Sequence, residues 1–64
     1  MSGKKEIVRI LMERDGMTEE EAKDLVAEVR EMMIEALKEG DYLEAEEIFE
    51  DELGLEPDYM LSMF

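Results

Sequence analysis

Apolar residues recur every three or four positions through the longest periodic stretch of the chain, which runs from Thr18 to Glu39. This spacing places them on one face of a helix with 3.6 residues per turn. Capping residues are present at both ends: Thr18 and Glu21 have the spacing of a capping box, and Gly40 can end the helix in the left-handed conformation. The face that this helix should bury consists of Ala22, Leu25, Val26, Val29, Met32, Met33, Ala36 and Leu37.

Two shorter amphipathic segments flank this helix, and each has its own boundary residues. Ser2 is the candidate cap of a first helix, which Asp15 and Gly16 end. Asp41 begins a third helix, and Gly54 closes it. The expected apolar positions are Ile7, Val8, Ile10, Leu11 and Met12 in the first helix, and Tyr42, Leu43, Ala45, Ile48, Phe49 and Leu53 in the third.

Pro57 suits the first position of a short fourth helix, since the N–H that proline lacks has no helical partner there. No segment has the alternating pattern of a strand. The sequence therefore predicts an all-α fold, a small three-helix domain with a short fourth C-terminal helix, as a single domain over residues 1–64. The predicted helices are at about 3–14, 18–39, 41–53 and 57–63.

The composition excludes most catalytic and metal chemistry. The chain has no histidine and no cysteine, so it has no imidazole base, no disulfide and no Cys- or His-ligated metal. The acidic run from Asp51 to Gly54 lacks the spacing of a calcium loop, and 64 residues leave little room for a substrate cleft. We therefore expect a protein that is not an enzyme, with no cofactor and no metal site.

Hydropathy places the protein away from membranes. No run approaches the ~20 apolar residues of a membrane span, and the segment from Met1 to Lys5 lacks the apolar core of a signal peptide. The sequence therefore predicts a cytoplasmic protein without membrane contact.

Net charge restricts the partners most strongly. The formal net charge is −13, from 20 acidic and 7 basic residues. Nucleic-acid affinity comes from lysine and arginine displacing counterions from phosphates, whereas the second helix begins with Glu19, Glu20 and Glu21. The sequence therefore predicts no direct nucleic-acid binding, although the two helices joined by a short turn superficially resemble a DNA-binding motif.

Acidic residues dominate the C-terminal part of the chain. From residue 39 onwards there are ten acids and no base: Glu39, Asp41, Glu44, Glu46, Glu47, Glu50, Asp51, Glu52, Glu56 and Asp58. Three interpretations stay open for this surface. It can keep the protein soluble, steer it to a basic protein partner, or imitate the phosphate spacing of nucleic acid.

Apolar residues concentrate at the end of the chain, where Tyr59, Met60 and Phe64 are candidate anchors. Methionine and aromatic side chains adapt well to partner surfaces. Either this tail caps the open side of the core, or it packs against a second chain. A core of this size is marginal alone, so a homodimer is an open alternative.

Three stretches of turn and capping residues resemble small uncharacterised acidic helical proteins of phages and mobile elements of Gram-positive bacteria. They are DGMTEEEA at 15–22, GDYLEAEE at 40–47 and LGLEPDY at 53–59. The resemblance implies no activity. Proteins of that setting include small acidic inhibitors of host defence, such as anti-CRISPR and anti-restriction proteins.

The first functional hypothesis is a non-enzymatic acidic module that binds a protein with a basic surface, as a phage inhibitor of a host protein would. Its acidic residues would steer association, and its C-terminal apolar residues would anchor it. The candidate partner-binding residues are Glu46, Glu47, Glu50, Asp51, Tyr59, Met60 and Phe64. The alternatives are a nucleic-acid mimic that occupies a basic DNA- or RNA-binding groove, and a de novo designed helical protein without biological function.

Overall fold

The computed structural model describes the backbone of residues 3–63 and the side chains of residues 5–60. Within these bounds the chain forms helices α1 (Gly3–Asp15), α2 (Glu19–Lys38) and α3 (Tyr42–Leu53), followed by a C-terminal 3₁₀-helix (Pro57–Met63). None of the described residues is in a strand. The predicted all-α fold of three helices and a short fourth one is confirmed, whereas the extent of the domain stays a prediction.

Hydrogen bonds at the ends of α2 explain why the helix starts and stops where it does. The Thr18 hydroxyl accepts from the Glu21 N–H at 3.1 Å, and the Glu21 carboxylate accepts from the Thr18 N–H at 3.0 Å. This is the predicted capping box. The predicted cap of α1, Ser2, lies outside the described residues.

The other end of α2 is a Schellman motif. Gly40 has a φ of +78°, which glycine adopts without strain. Its N–H donates to the Leu37 carbonyl, and the N–H of Asp41 donates to the Ala36 carbonyl, both at 2.9 Å. The Asp41 side chain then accepts from the Glu44 N–H at 3.0 Å and begins α3. The two helices are therefore joined by a turn whose hydrogen bonds define its direction.

The core is the apolar face of α2 enclosed by the other elements. Helix α2 contacts both α1 and α3, and the 3₁₀-helix packs against α1 and α3. None of the described side chains is both buried and polar, so the core is held by apolar contacts alone. Its members are Ile7, Leu11, Ala22, Val26, Val29, Met33, Ala36, Ala45, Phe49 and Leu53.

The apolar face predicted for α3 is partly wrong. Tyr42 is 70% exposed and Leu43 is 66% exposed. Leu43 is two residues from Ala45, which at 100° per residue places it on the far side of the helix. Tyr42 is the first residue of α3, and helical side chains lean toward the N-terminus, so it extends over the turn and not over the core.

No helix in the described part of the chain is long and apolar enough to cross a membrane.

Leu43 and Leu53 form a matched pair for testing this packing, since they are the same residue type on one helix. We expect Leu53→Ala to destabilise the fold by about 2–5 kcal/mol, because the side chain is fully buried. Leu43→Ala should change stability by less than about 0.5 kcal/mol. Urea denaturation followed by circular dichroism measures both, and equal midpoints for the two variants would show that the core is assigned wrongly.

Candidate functional site

A groove of about 740 Å³ runs between α1 and α2. It is lined by one stripe of each helix: Lys5, Val8, Arg9 and Met12 from α1, and Glu19, Lys23, Val26, Ala27, Arg30 and Glu31 from α2. We call Val8, Met12, Val26 and Ala27 the apolar floor, and Lys5, Arg9, Lys23 and Arg30 the basic rim. The groove therefore combines an apolar floor with a basic rim.

Helix geometry explains why the groove does not face the core. Arg9 is two residues from both Ile7 and Leu11, so it lies on the opposite side of α1 from these core residues. Lys23 follows the buried Ala22 by one residue, or about 100° around α2. Within the described part of the chain, no residue of α3 or of the 3₁₀-helix lines the groove. It is therefore a lateral face of the α1–α2 hairpin.

Basic residues are concentrated on this hairpin. All seven lysines and arginines of the chain lie between residues 4 and 38, and four of them form the basic rim. Two carboxylates share the groove, and one of them, Glu19, pairs with Lys23 at 3.1 Å between Oε2 and Nζ. This pair is well exposed, so it contributes little to stability. The groove is thus the place where an acidic chain gathers positive charge.

Arg14 connects the corner of this hairpin to the end of α3. Its guanidinium donates to the carbonyls of Leu53 at 2.7 Å and Gly54 at 3.1 Å. The same guanidinium donates to both oxygens of Asp15, at 2.9 and 2.8 Å. Arg14 therefore supplies donors to carbonyls that the end of a helix leaves without helical partners. Its positive charge also lies at the negative end of the α3 dipole, where a cation is stabilising.

Gly54 completes this arrangement. It adopts the left-handed conformation, with φ +64°, and its N–H donates to the Glu50 carbonyl at 2.8 Å. A Cβ at this position would lie 3.3 Å from Nη1 of Arg14. The positive φ favours glycine here, and any Cβ would also require the guanidinium to move by a few tenths of an ångström.

The Arg14–Asp15 pair shifts the titration of both groups. The hydrogen bonds from Arg14 lower the pKa of Asp15 below its ordinary value of 3.8. The bond to Asp15 likewise raises the pKa of Arg14. Both shifts have the same cause, which is that each charged form is held by the other.

The structure does not bring the predicted partner-binding residues to the groove. Glu46, Glu47, Glu50 and Asp51 are exposed on α3, and none of them lines it. Tyr59 and Met60 are half-buried and pack against the core, so these two residues of the tail cover the fold. Phe64 lies outside the described residues. A partner-binding role for these side chains stays a prediction, as does the homodimer.

Metal binding has no support from residue clustering. In the part of the chain that the structure describes, no group of three or more acidic side chains is arranged to hold a metal ion. The carboxylates of α3 are spread along an exposed surface.

Comparison with known proteins decides the family. The profile of the family described as bacterial DNA-binding protein matches residues 2–51, which include α1, α2 and most of α3. The chain belongs to the bacterial DNA-binding protein family. Comparisons with curated proteins and with solved structures find no match. The family is a non-enzymatic one.

Membership of this family overturns several predictions. The assignment to acidic helical proteins of phages and mobile elements is wrong. The family is a DNA-binding one, so the acidic protein-binding module and its alternatives, a nucleic-acid mimic of anti-CRISPR type or a designed protein without function, are not supported. The prediction of no direct nucleic-acid binding, with a basic protein as the partner, is likewise contradicted.

These predictions fail for one physical reason: the net charge of a segment does not determine whether a few of its cations share a surface. Residues 1–38 contain ten acids and seven bases, so their sum is still negative. Phosphate contacts depend on the few cations that share a surface. The spacing of Lys5 and Arg9, and of Lys23 and Arg30, already placed each pair on one helical stripe. Pairing the two stripes required the direction of the hairpin, which the structure provides.

The Arg14–Asp15 pair gives a testable dependence of stability on pH. Since the folded-state pKa of Asp15 lies below the unfolded value of 3.8, the pair stabilises the fold above that pH. This contribution is lost as the pH falls through the lower, folded-state pKa. We expect Asp15→Asn to lower the urea midpoint at pH 7 relative to Asp24→Asn, which removes the same charge. The difference should shrink as the pH falls below 3.8 and the carboxyl of Asp15 becomes protonated in the folded state.

A midpoint difference between Asp15→Asn and Asp24→Asn that stays constant from pH 7 to pH 2.5 would contradict this account. Arg14→Gln provides a second check at pH 7. It also replaces the guanidinium that donates to the end of α3 by a shorter, neutral amide, so it should destabilise the fold more than Asp15→Asn does, by about 1 kcal/mol in total.

Proposed function

We propose that the chain binds DNA through the basic rim of the α1–α2 groove. One observation carries the proposal: Lys5, Arg9, Lys23 and Arg30 line a single groove in a chain whose remaining surface is largely acidic. The family match supports DNA as the ligand, because the matched residues include both helices that form the groove.

The net charge of −13 opposes this contact but does not prevent it. Exposed charges are largely screened beyond about 8 Å at physiological ionic strength. The ten acids that follow residue 38 belong to segments that do not line the groove. A phosphate on the basic rim is in direct contact with cations, whereas it meets the acids of α3 mainly through solvent. Repulsion should therefore slow association more than it weakens the bound state.

The contact is made by helices. The family includes the HU/IHF-like proteins, and IHF is among the proteins that contact DNA with strands. Residues 3–63 of this chain contain no strand, and the segment that follows α2 is the acidic helix α3. We therefore assign the phosphate contacts to the side chains of α1 and α2.

Phosphate contact, more than base readout, fits the residues available. The chain contains no asparagine and no glutamine, the side chains that pair with adenine in the major groove. Lysine and arginine bind phosphate oxygens without reading sequence. Engagement of three or four phosphates implies a roughly 100-fold loss of affinity between 50 and 200 mM salt.

We propose further that the protein is non-enzymatic and acts in the cytoplasm, where bacterial DNA is held. The family supports the first part, and no residue of the groove is a histidine, cysteine or serine that could serve as a nucleophile or base.

Arg9 and Lys38 allow the local effect of a cation to be separated from its effect on net charge. Arg9→Gln and Lys38→Gln lower the net charge equally, but only Arg9 lines the groove. We expect Arg9→Gln to weaken binding to a short DNA duplex by about 3–10-fold and to reduce the salt slope by about 1. Lys38→Gln should stay within two-fold of the wild type. Fluorescence anisotropy at several salt concentrations gives both quantities.

Equal losses in the two variants would show that only net charge matters and would contradict the assignment of the groove. Absence of binding by the wild-type chain at low salt would contradict the proposed function itself. Circular dichroism checks that both variants are folded. We expect no loss of stability, because both side chains are exposed and their replacement should be nearly neutral for the free energy of unfolding.

A further inference from the structure

The apolar floor of the groove has no role in phosphate binding. Val8 and Met12 are half-buried, Ala27 is exposed and Val26 is buried, so three of the four floor residues are reached from solvent. A DNA backbone offers it only sugar edges, and the groove has no aromatic side chain on which a base could stack. The floor and the rim together match a ligand that has an apolar body and a negative end.

Charge is distributed unevenly along the groove. Residues 16–18 join α1 to α2, so Met12 and Lys23 lie near the closed end of the hairpin, and Lys5 and Arg30 lie toward its open end. At the closed end Lys23 is paired with Glu19. At the open end Lys5, Arg9 and Arg30 outnumber the single carboxylate of Glu31. The groove thus has a cationic open end, an apolar middle, and a closed end where Met12 lies beside an ion pair.

We propose that this groove binds a single-chain anionic amphiphile, such as a fatty-acid carboxylate. The negative head would contact Lys5 and Arg9, and the alkyl chain would extend over Val8 and Ala27 toward Met12. From Lys5 to Met12 the helix rises about 10 Å, which suits a chain of medium length. The volume of about 740 Å³ lies within the range of small-molecule sites. Charge complementarity selects the anion, since the rest of the surface repels it.

This ligand would use the same rim as DNA, so the two should compete, but its binding does not depend on the proposed function. The difference lies in the floor. Alkyl burial requires an open floor, whereas phosphate contact requires only the rim. A substitution that fills the floor therefore separates the two ligands.

The probe is decanoate, below its micelle concentration, titrated into the isotope-labelled full chain and followed by NMR. We expect the largest shifts at the amides of Val8, Met12 and Ala27. Octanoate should bind about four-fold more weakly, because it buries two fewer methylenes in a half-open groove. Arg9→Gln should weaken decanoate binding about five-fold, and Lys38→Gln should leave it unchanged.

Ala27 gives the decisive variant, because it is exposed on α2 and tolerates replacement. Ala27→Phe should reduce decanoate affinity more than ten-fold and keep DNA affinity within two-fold. Leu43→Phe, which adds a ring at an exposed position of α3 outside the groove, should bind both ligands as the wild type does. If DNA binding fails while decanoate binds in this pattern, the proposed function falls and this inference stands.

Three results would overturn the inference. The first is that decyltrimethylammonium, a cation with an alkyl chain of the same length, produces the same amide shifts as decanoate. The shifts could instead appear at Tyr42 and Leu43, the exposed apolar residues of α3. Sedimentation could also show that a second copy covers the groove and that decanoate does not displace it.

Discussion

The fold depends on the enclosure of one apolar stripe, that of α2, by α1 and α3. Every turn of α2 supplies a buried residue to this contact, and the largest fully buried side chain, Phe49, comes from α3. Apolar burial is strong but has no direction. Among the described side chains, nothing polar is buried to orient the helices. Their orientation therefore comes from the helix ends, where hydrogen bonds are directional.

Arg14 shows how this works at the end of α3. That helix has no basic residue in its last turn, so it cannot neutralise the negative end of its own dipole. The guanidinium arrives from α1, about 40 residues earlier in the chain, and meets the carbonyls of Leu53 and Gly54. The end of the strongly acidic helix α3 is thus joined by hydrogen bonds to the end of α1. The contact also aligns the end of α1 with the end of α3.

The sequence was sufficient wherever structure depends on neighbours along the chain. The capping box of Thr18 and the turn at Gly40 are local and were predicted correctly. The stripe of α2 is local too: five of its eight predicted residues are buried, and Leu25, Met32 and Leu37 are half-buried. Exposure of Leu43 was also readable, because its angular distance from Ala45 follows from spacing alone. The Arg14 contacts and the groove were not readable, since each requires two distant segments to meet. The proposed phosphate contact was not readable either, because the cations of α1 and α2 share a surface only once the two helices are paired.

The groove follows from the width of the apolar stripe on α1. Five apolar residues occupy this helix, yet only Ile7 and Leu11 are fully covered by the core. Val8 lies about 100° from Ile7 and is half-buried, and Met12 continues the same row. Such a row remains half-exposed unless long side chains border it, and the stems of Lys5 and Arg9 can do so while their charges reach solvent. The floor is therefore the apolar surface of α1 that the core does not cover, and the rim is formed by the long basic side chains that border it. This is why positive charge and apolar area coincide on this face.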